Sequence, residues 1–524
     1  MKKTLVPLFL FLSFLSQAQT TSVTLSKKFS LKEHGSTLNG GQFLKVGDNW
    51  FAMELDYAGM QFAYTAKLDK IKYGINIRKY DAGMKEVKKI SFQGKEKQFG
   101  PFIPRLVLFH DKLILLYYQS MEDNSIKLSM AVIDPETLDA KSGMDLYSIS
   151  QRNVGLFKIE GALSHNHLMA EASPDSTQLL IAQAGNTNEL FSCLVGADMM
   201  PVKKMVSKFK SNMMDLDVEH FAIDNALNRY FGYRYKTGPA KISGILLQDN
   251  KGKEALLPVN AGKGAAFEID EINLALSKDH TKMYAYATYG YGEDAGEGIL
   301  LTTVDANAAR LDQPQLFPFP PDIRIKLEKR GYAGKHNGNI GLVKMTYEST
   351  ELENGTLVLS GVMRKEEIKT VNTYSSMHDP TGHISTEAAY YSGPLINAMI
   401  RDNKCNFAVV YRNQILSSAS QIILHPYGDK FVCFYTVAKK HLESDDLGKP
   451  ANPDDLILAE AVFSSDGKLV SREMIGDKAG NLDYFISDFT PLSADSYIFP
   501  LARLRANMAR YYVEMEQWVT LDIH

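Results

Sequence analysis

The chain is short of cysteine, of long apolar runs, of excess positive charge and of helical periodicity, and each shortage excludes something. Only three cysteines occur in 524 residues, at Cys193, Cys405 and Cys433, too few for a disulfide framework. Each lies in an apolar run, where a buried free thiol is expected. Cys405 and Cys433 would pair only if their strands adjoin. The pronounced apolar run at 5–15 has eleven residues, too few to cross ~30 Å of hydrocarbon, so no membrane span is read. With Lys2 and Lys3 before it and Ser16-Gln17-Ala18 after it, that run reads as a secretory signal peptide covering 1–18. The mature chain, 19–524, is then expected to be periplasmic or secreted. No cysteine follows the cut, so no lipid anchor is read there.

Positive charge does not dominate: 58 Lys and Arg face 61 Asp and Glu, and loss of the two leader lysines takes the net charge from −3 to −5. That balance, with basic residues scattered, argues against a nucleic-acid partner. Scarce 3.6-residue periodicity argues against α/β alternatives. No Pro/Ser/Gly-rich linker divides the chain, so 19–524 reads as one domain.

What the chain does contain is a repeated turn followed by a strand-like run. Ser173-Pro174-Asp175-Ser176 precedes an apolar, partly β-branched stretch at 177–184. Related units begin near Lys45, Leu108, Ile223, Ser277, Thr350, His425 and Ser493, giving eight in all, spaced roughly 50–75 residues apart. In each, Asp, Asn, Gly, Ser or Pro makes a turn between two apolar runs. Two further strand-like runs follow, as at 298–304 and 310–317 in the fifth unit. Four short antiparallel strands per unit form a propeller blade.

Lysine-rich alternating segments at 85–91 and 201–208 fall where the exposed outer strand of a blade belongs, and lysine protects such edges. The last unit supplies only three strands, at 482–489, 497–503 and 510–521. An alternating run at 22–31, with Val23, Leu25, Phe29 and Leu31 on one face and Lys27 as the exception, is placed as the missing outer strand that closes the ring. The fold expected is therefore all-β, a single closed eight-bladed propeller, with seven blades as the alternative. Ser173-Pro174-Asp175 before an apolar strand resembles the repeats of TolB-type β-propellers, and Ser277-Lys278-Asp279 and Ser493-Ala494-Asp495 are looser matches. The resemblance supports the fold and transfers no activity.

Catalytic motifs are sparse. There is no Gly-x-Ser-x-Gly elbow and no catalytic domain beyond the last unit. Ser464-Ser465-Asp466-Gly467 approaches a sialidase-type turn but lacks the spacing and the tryptophan, and reads as a hairpin. His165 and His167 could share a strand face, and His378, Asp379 and His383 lie close in sequence, but neither group fixes a full ligand set. Glu293, Asp294 and Glu297, and separately Asp454 and Asp455, are acidic without matching a calcium loop. No metal and no cofactor are assigned.

Long connections are the remaining signal, because unstructured connections beyond ~12–15 residues tend to be functional. They occur at 318–339, 366–392 and 439–453, with a shorter one at 289–297. In a propeller all four leave on one face. That face would carry Tyr289, Tyr291, Tyr332, His336, Tyr374, His378, Asp379, His383, Tyr390 and Tyr391. Tyrosine offers a flat apolar ring and a hydroxyl, suited to a protein or glycan surface. The expected function is an exported binding module using this face. The alternative is a propeller-type carbohydrate enzyme, a glycoside hydrolase or lyase, with carboxylates in the axial funnel. Oligomeric state is not legible.

Overall fold

The computed structural model describes residues 21–25, 31–32, 43–58, 72–83, 85–92, 98–99, 104–120, 125–150, 168–184, 189–209, 214–237, 240–259, 267–291, 294–335, 340–373, 383–415, 422–451, 455–476, 483–484, 489–507 and 510–524. They form eight antiparallel sheets, each a four-stranded meander at its heart, arranged as the blades of a propeller. Blade 1 runs through Phe43–Val46, Asn49–Ala58, Lys72–Tyr80 and Glu86–Phe92. Blade 4 repeats the plan with Met214–Ile223, Arg229–Thr237, Ala240–Gln248 and Glu254–Pro258.

The first-to-second turns use the chemistry read from the sequence. Ser173 Oγ donates to Asp175 Oδ1 at 2.6 Å, the same carboxylate accepts Thr177 N–H at 3.1 Å, and Ser176 sits at φ +56°. Ser277, Asp279, Thr281 and His280 reproduce this with 2.6 Å, 3.1 Å and φ +57°. These bonds, Ser277's first, hold the Asp279 carboxyl down at about 2. Ser464 to Gly467 forms the hairpin turn between the third and fourth strands of blade 7.

Stability lies between the blades. Central-strand residues alternate toward the two neighbouring sheets. Phe51, Met53, Leu113 and Leu115 join blades 1 and 2, and the series continues around to Phe434, Phe499 and Val519 between blades 7 and 8. The inner strand of blade 1 touches the inner strand of blade 8, Thr490–Ser493. Closure is as expected from the sequence: Thr21–Leu25 pairs antiparallel with the last strand, Thr21 opposite Ile523 and Leu25 opposite Val519, and Leu31 lies opposite Met515. Thr21 Oγ1 also donates to Glu460 of blade 7 at 2.6 Å. The lysine-rich runs are outer strands, Glu86–Phe92 and Pro201–Lys208, largely exposed. All three cysteines are free. Cys193 and Cys433 are buried, whereas Cys405, on the outer strand of blade 6, is partly exposed.

Three expectations about connections need correction. The stretch 289–297 falls largely within the second and third strands of blade 5, Met283–Tyr291 and Asp294–Asp305, with Tyr289 opposite Gly298 and Tyr291 opposite Asp294. The stretch 366–392 is mostly not loop. The second and third strands of blade 6, Leu357–Thr373 and His383–Arg401, run on as a long hairpin, paired continuously from Thr373–His383 to Arg364–Ser392. Its alternating β-branched residues permit extended pairing beyond the core. Within 318–339 lies a helix, α1 (Pro321–Glu328), which starts with Pro at its first position, where no amide donor is needed.

Candidate functional site

Second-to-third turns and blade-to-blade connections share one face of an antiparallel propeller, and the insertions on this face bind one another. Helix α1 buries Ile323 and Leu327 and carries Asp322 in its first turn and Lys326 in its last, both favourable to its dipole. Arg324 ties it back to blade 5 through a 2.7 Å ion pair with the largely buried Glu297. On the far side, Lys326 Nζ donates to Asp445 O at 2.7 Å and Arg330 Nε donates to Leu447 O at 2.7 Å. Lys326 also lies 4.2 Å above the Tyr411 ring. The stretch 442–451 is thereby held against α1, and Asn413 of blade 6 bonds it from below, donating to Gly448 O at 3.0 Å and accepting from Ala451 N at 3.0 Å.

Tyr332 is the keystone of this clamp. It is fully buried, and its hydroxyl donates to Asn413 Oδ1 at 3.0 Å. Lys365, also buried, places its ammonium 5.0 Å from the Tyr332 ring and 5.1 Å from the Tyr391 ring and donates to Arg330 O at 2.7 Å. A cation between two aromatic faces offsets part of its lost hydration. Arg412, 1% exposed, donates to Gly393 O at 3.1 Å and Thr436 O at 2.8 Å, and burial lowers its guanidinium to about 10.

A second cluster stands on the same face between blades 4 and 5. Tyr291 is 39% exposed, with its ring 5.6 Å from Phe267, which in turn lies 5.5 Å from the buried Tyr289. Beside the rings, Arg234 pairs with Asp217 at 3.3 Å and with Asp270 at 3.4 Å, and Lys241 pairs with Glu268 at 2.8 Å. Deeper, two carboxyls on innermost strands, Glu171 of blade 3 and Glu348 of blade 6, are pushed up to about 7 by burial.

The residues expected at the site therefore divide. Tyr291 is on the surface. Tyr289, Tyr332 and Tyr391 are on the expected face but buried beneath it: Tyr332 packs with Ile323 and Leu327 of α1 and with Leu447, Tyr289 lies against Phe267 and Tyr291, and Tyr391 lies beside Lys365; they support the surface rather than present it. His383 and Tyr390 belong to the hairpin strand, opposite Thr373 and Glu366, rather than to a long loop. His336, Tyr374, His378 and Asp379 lie outside the described residues, as do His165, His167, Glu293 and Asp454. Among the described residues no group of three His, Cys, Asp or Glu could hold a metal ion. Sequence reading missed Arg324, Lys365, Arg412 and Arg234, because each acquires at least one partner from another blade or insertion and carries no local mark.

No protein-family model matches the chain, and no curated protein matches it either. Solved structures do. The Dos1 propeller is 9% identical, with 94% of each chain covered and a TM-score of 0.39. The β-propeller domain of the trilobed protease from Pyrococcus furiosus is 9% identical, covering 85% of this chain and 98% of its own, with a TM-score of 0.30. A putative 6-phosphogluconolactonase from Bacteroides uniformis is 10% identical, covering 82% and 97%, with a TM-score of 0.35. The chain is similar to these as a propeller, and the likeness says nothing of activity.

Proposed function

We propose that the protein is an exported binding module that engages a protein or glycan partner through its loop-rich face. One observation carries this reading: the insertions after blade 5 and within blade 7 form a clamped platform, in which α1 is bonded to blade 5 by Arg324 and to the blade 7 insertion by Lys326 and Arg330. Ordering such segments costs about 1–2 kcal/mol per residue of backbone entropy, and a pre-ordered surface no longer meets that cost on binding. The exposed Tyr291, flanked by Phe267 and by charged pairs, is the type of residue that anchors an interface.

The enzyme alternative has Asp217 and Asp270 in its favour, two carboxylates on one guanidinium near the inner strands. Glycoside hydrolysis asks for a proton-donating carboxyl beside an ionised one. The carboxyls raised by burial, Glu171 and Glu348, stand on different blades from that pair and from each other.

The test is capture of the partner from envelope extract, followed by binding measurements on purified variants. Tyr291→Ala, and separately replacement of 366–390 by a short Gly-Ser turn, are expected to weaken binding at least tenfold. Unchanged binding by both variants would rule this face out.

A further inference from the structure

The opposite face is built of tight turns, and in one place its regularity breaks. The outer strand of blade 5 is interrupted: Arg310–Leu311 pairs with the third strand, Asp312 N–H still donates to Thr303 O at 2.9 Å, the chain then leaves the ladder at 313–314, and pairing resumes at Gln315–Pro318. Pro314 has no amide hydrogen to give the ladder. The break leaves a cleft of about 520 Å³ between blades 5 and 6. That volume falls in the range of small-ligand sites, ~300–1,000 Å³.

The chemistry of the cleft is specific. Its floor is apolar, from Leu301, Leu357 and Ile400, all buried. One wall is the half-buried Tyr284, whose hydroxyl has no hydrogen-bond partner among the described residues. The rim is rich in carboxamides. Gln315 donates to Asn403 Oδ1 across the blade interface at 2.7 Å, which leaves its own oxygen and the Asn403 amide hydrogens to offer. Asn354 accepts Thr356 N–H at 3.0 Å through its oxygen and keeps its donors, and Gln313 is exposed with both. Charge at the rim is balanced. Two cations, Lys282 and Arg401, face two carboxylates, Asp312 and Asp402; Asp402 pairs with Arg401 at 3.6 Å, and Asp312 accepts from the Thr303 hydroxyl.

We infer that this inter-blade cleft binds a short neutral saccharide. A sugar ring presents hydroxyls that both donate and accept, and carboxamides are side chains that do both. Its C–H face needs an apolar and aromatic surface, here Tyr284 above the Leu and Ile floor. The balance of charge disfavours an anionic or cationic ligand, because no net field compensates its desolvation. This site is independent of the loop-rich face.

The experiment is isothermal titration calorimetry of the full mature chain against neutral trisaccharides built from glucose, mannose, galactose or N-acetylglucosamine, with sialyllactose as the charged comparison. At least one neutral probe is expected to bind, and sialyllactose is not. The double variant Gln313→Ala with Asn354→Ala removes two rim amides, together with the Asn354 turn bond to Thr356 N–H, and should weaken binding roughly tenfold or more, as loss of two hydrogen bonds to the ligand implies. Tyr284→Phe should weaken it severalfold while leaving melting unchanged, and Tyr291→Ala on the other face should have no effect. Absence of binding by every neutral probe, tighter binding of sialyllactose, or equal affinity in the double variant would overturn the inference. Loss of partner binding on the loop-rich face would not bear on it.

Discussion

Gly393 tests whether Tyr332 holds the clamp. A Cβ placed on Gly393 would lie 2.4 Å from both Cε1 and Cζ of Tyr332, about an ångström inside contact distance. The ring has little room to yield. It is fully buried, its hydroxyl is bonded to Asn413, and Lys365 lies 5.0 Å from its ring. Gly393→Ala therefore acts as overpacking, which costs about 1–3 kcal/mol. Lengthening the Tyr332–Asn413 bond adds about 1 kcal/mol. The sum, about 2–4 kcal/mol, converts through an unfolding entropy of about 1 kcal/mol/K for a chain of this size to a drop in Tm of about 2–4 °C. The assay is differential scanning calorimetry on a double-mutant cycle with Tyr332→Ala. The latter loses a buried ring and should itself cost about 3–5 kcal/mol. With the ring gone, Gly393→Ala should add under about 0.5 kcal/mol, so that nearly its whole cost appears as coupling. Two results would refute the reasoning: a single variant that melts with the wild type, or a penalty for Gly393→Ala that persists unchanged in the Tyr332→Ala background.

Three further outcomes are expected. Deleting 19–32 exposes the edge of the last blade, where Val23 packs against the core shared with Phe499 and Leu521, and should lower Tm and promote concentration-dependent aggregation in light scattering; a truncated chain that melts and scatters like the full one counts against strand closure. Burial pushes the Cys193 thiol up to about 11 and the Cys405 and Cys433 thiols to about 12, so Ellman titration should find little reaction in native protein and all three thiols after denaturation. Glu348 binds its proton more tightly folded than unfolded, its carboxyl having been raised by burial from 4.5 to about 7, so stability is lost as pH rises through that window. Glu348→Gln should therefore melt with the wild type near pH 4 and above it beyond pH 7, by up to about 3 kcal/mol, and parallel pH profiles would disprove this.

The blades were legible because their signals are local. Ser173, Asp175 and Thr177 lie within one turn and bond one another, so the sequence around them suffices to read the strand that follows. Closure by 21–32 was legible from period-two alternation plus a missing strand. The candidate site was legible only as a place. Tyr289, Tyr332 and Tyr391 share a residue type with Tyr291, but whether a tyrosine lies on or under a surface depends on what packs over it, as α1 and Leu447 do for Tyr332 and Phe267 does for Tyr289. Lys365 sits in Arg364-Lys365-Glu366-Glu367, which reads as a solvated charge run. It is buried because Tyr332 and Tyr391 arrive from a different connection and a different strand. By length the 366–392 segment reads as loop, yet strand pairing needs only register, and Thr370, Val371 and Thr373 are good strand formers.

Repetition makes departures meaningful. Among the described residues, blades 3 and 4 show what the plan requires: four strands each, joined on one face by tight turns. Blade 5 departs from it at both ends of a single strand. Where Gln315–Pro318 begins, the ladder breaks and the cleft opens; where it ends, the chain turns into α1 and the clamp. Both departures give up ladder hydrogen bonds or order extra chain, and neither is needed to close a ring that the other blades close without them. The same short strand thus joins the two surfaces that the regular scaffold does not explain. That makes blade 5, rather than the funnel or the lysine-edged outer strands, the part of the molecule where substitutions should separate binding from folding.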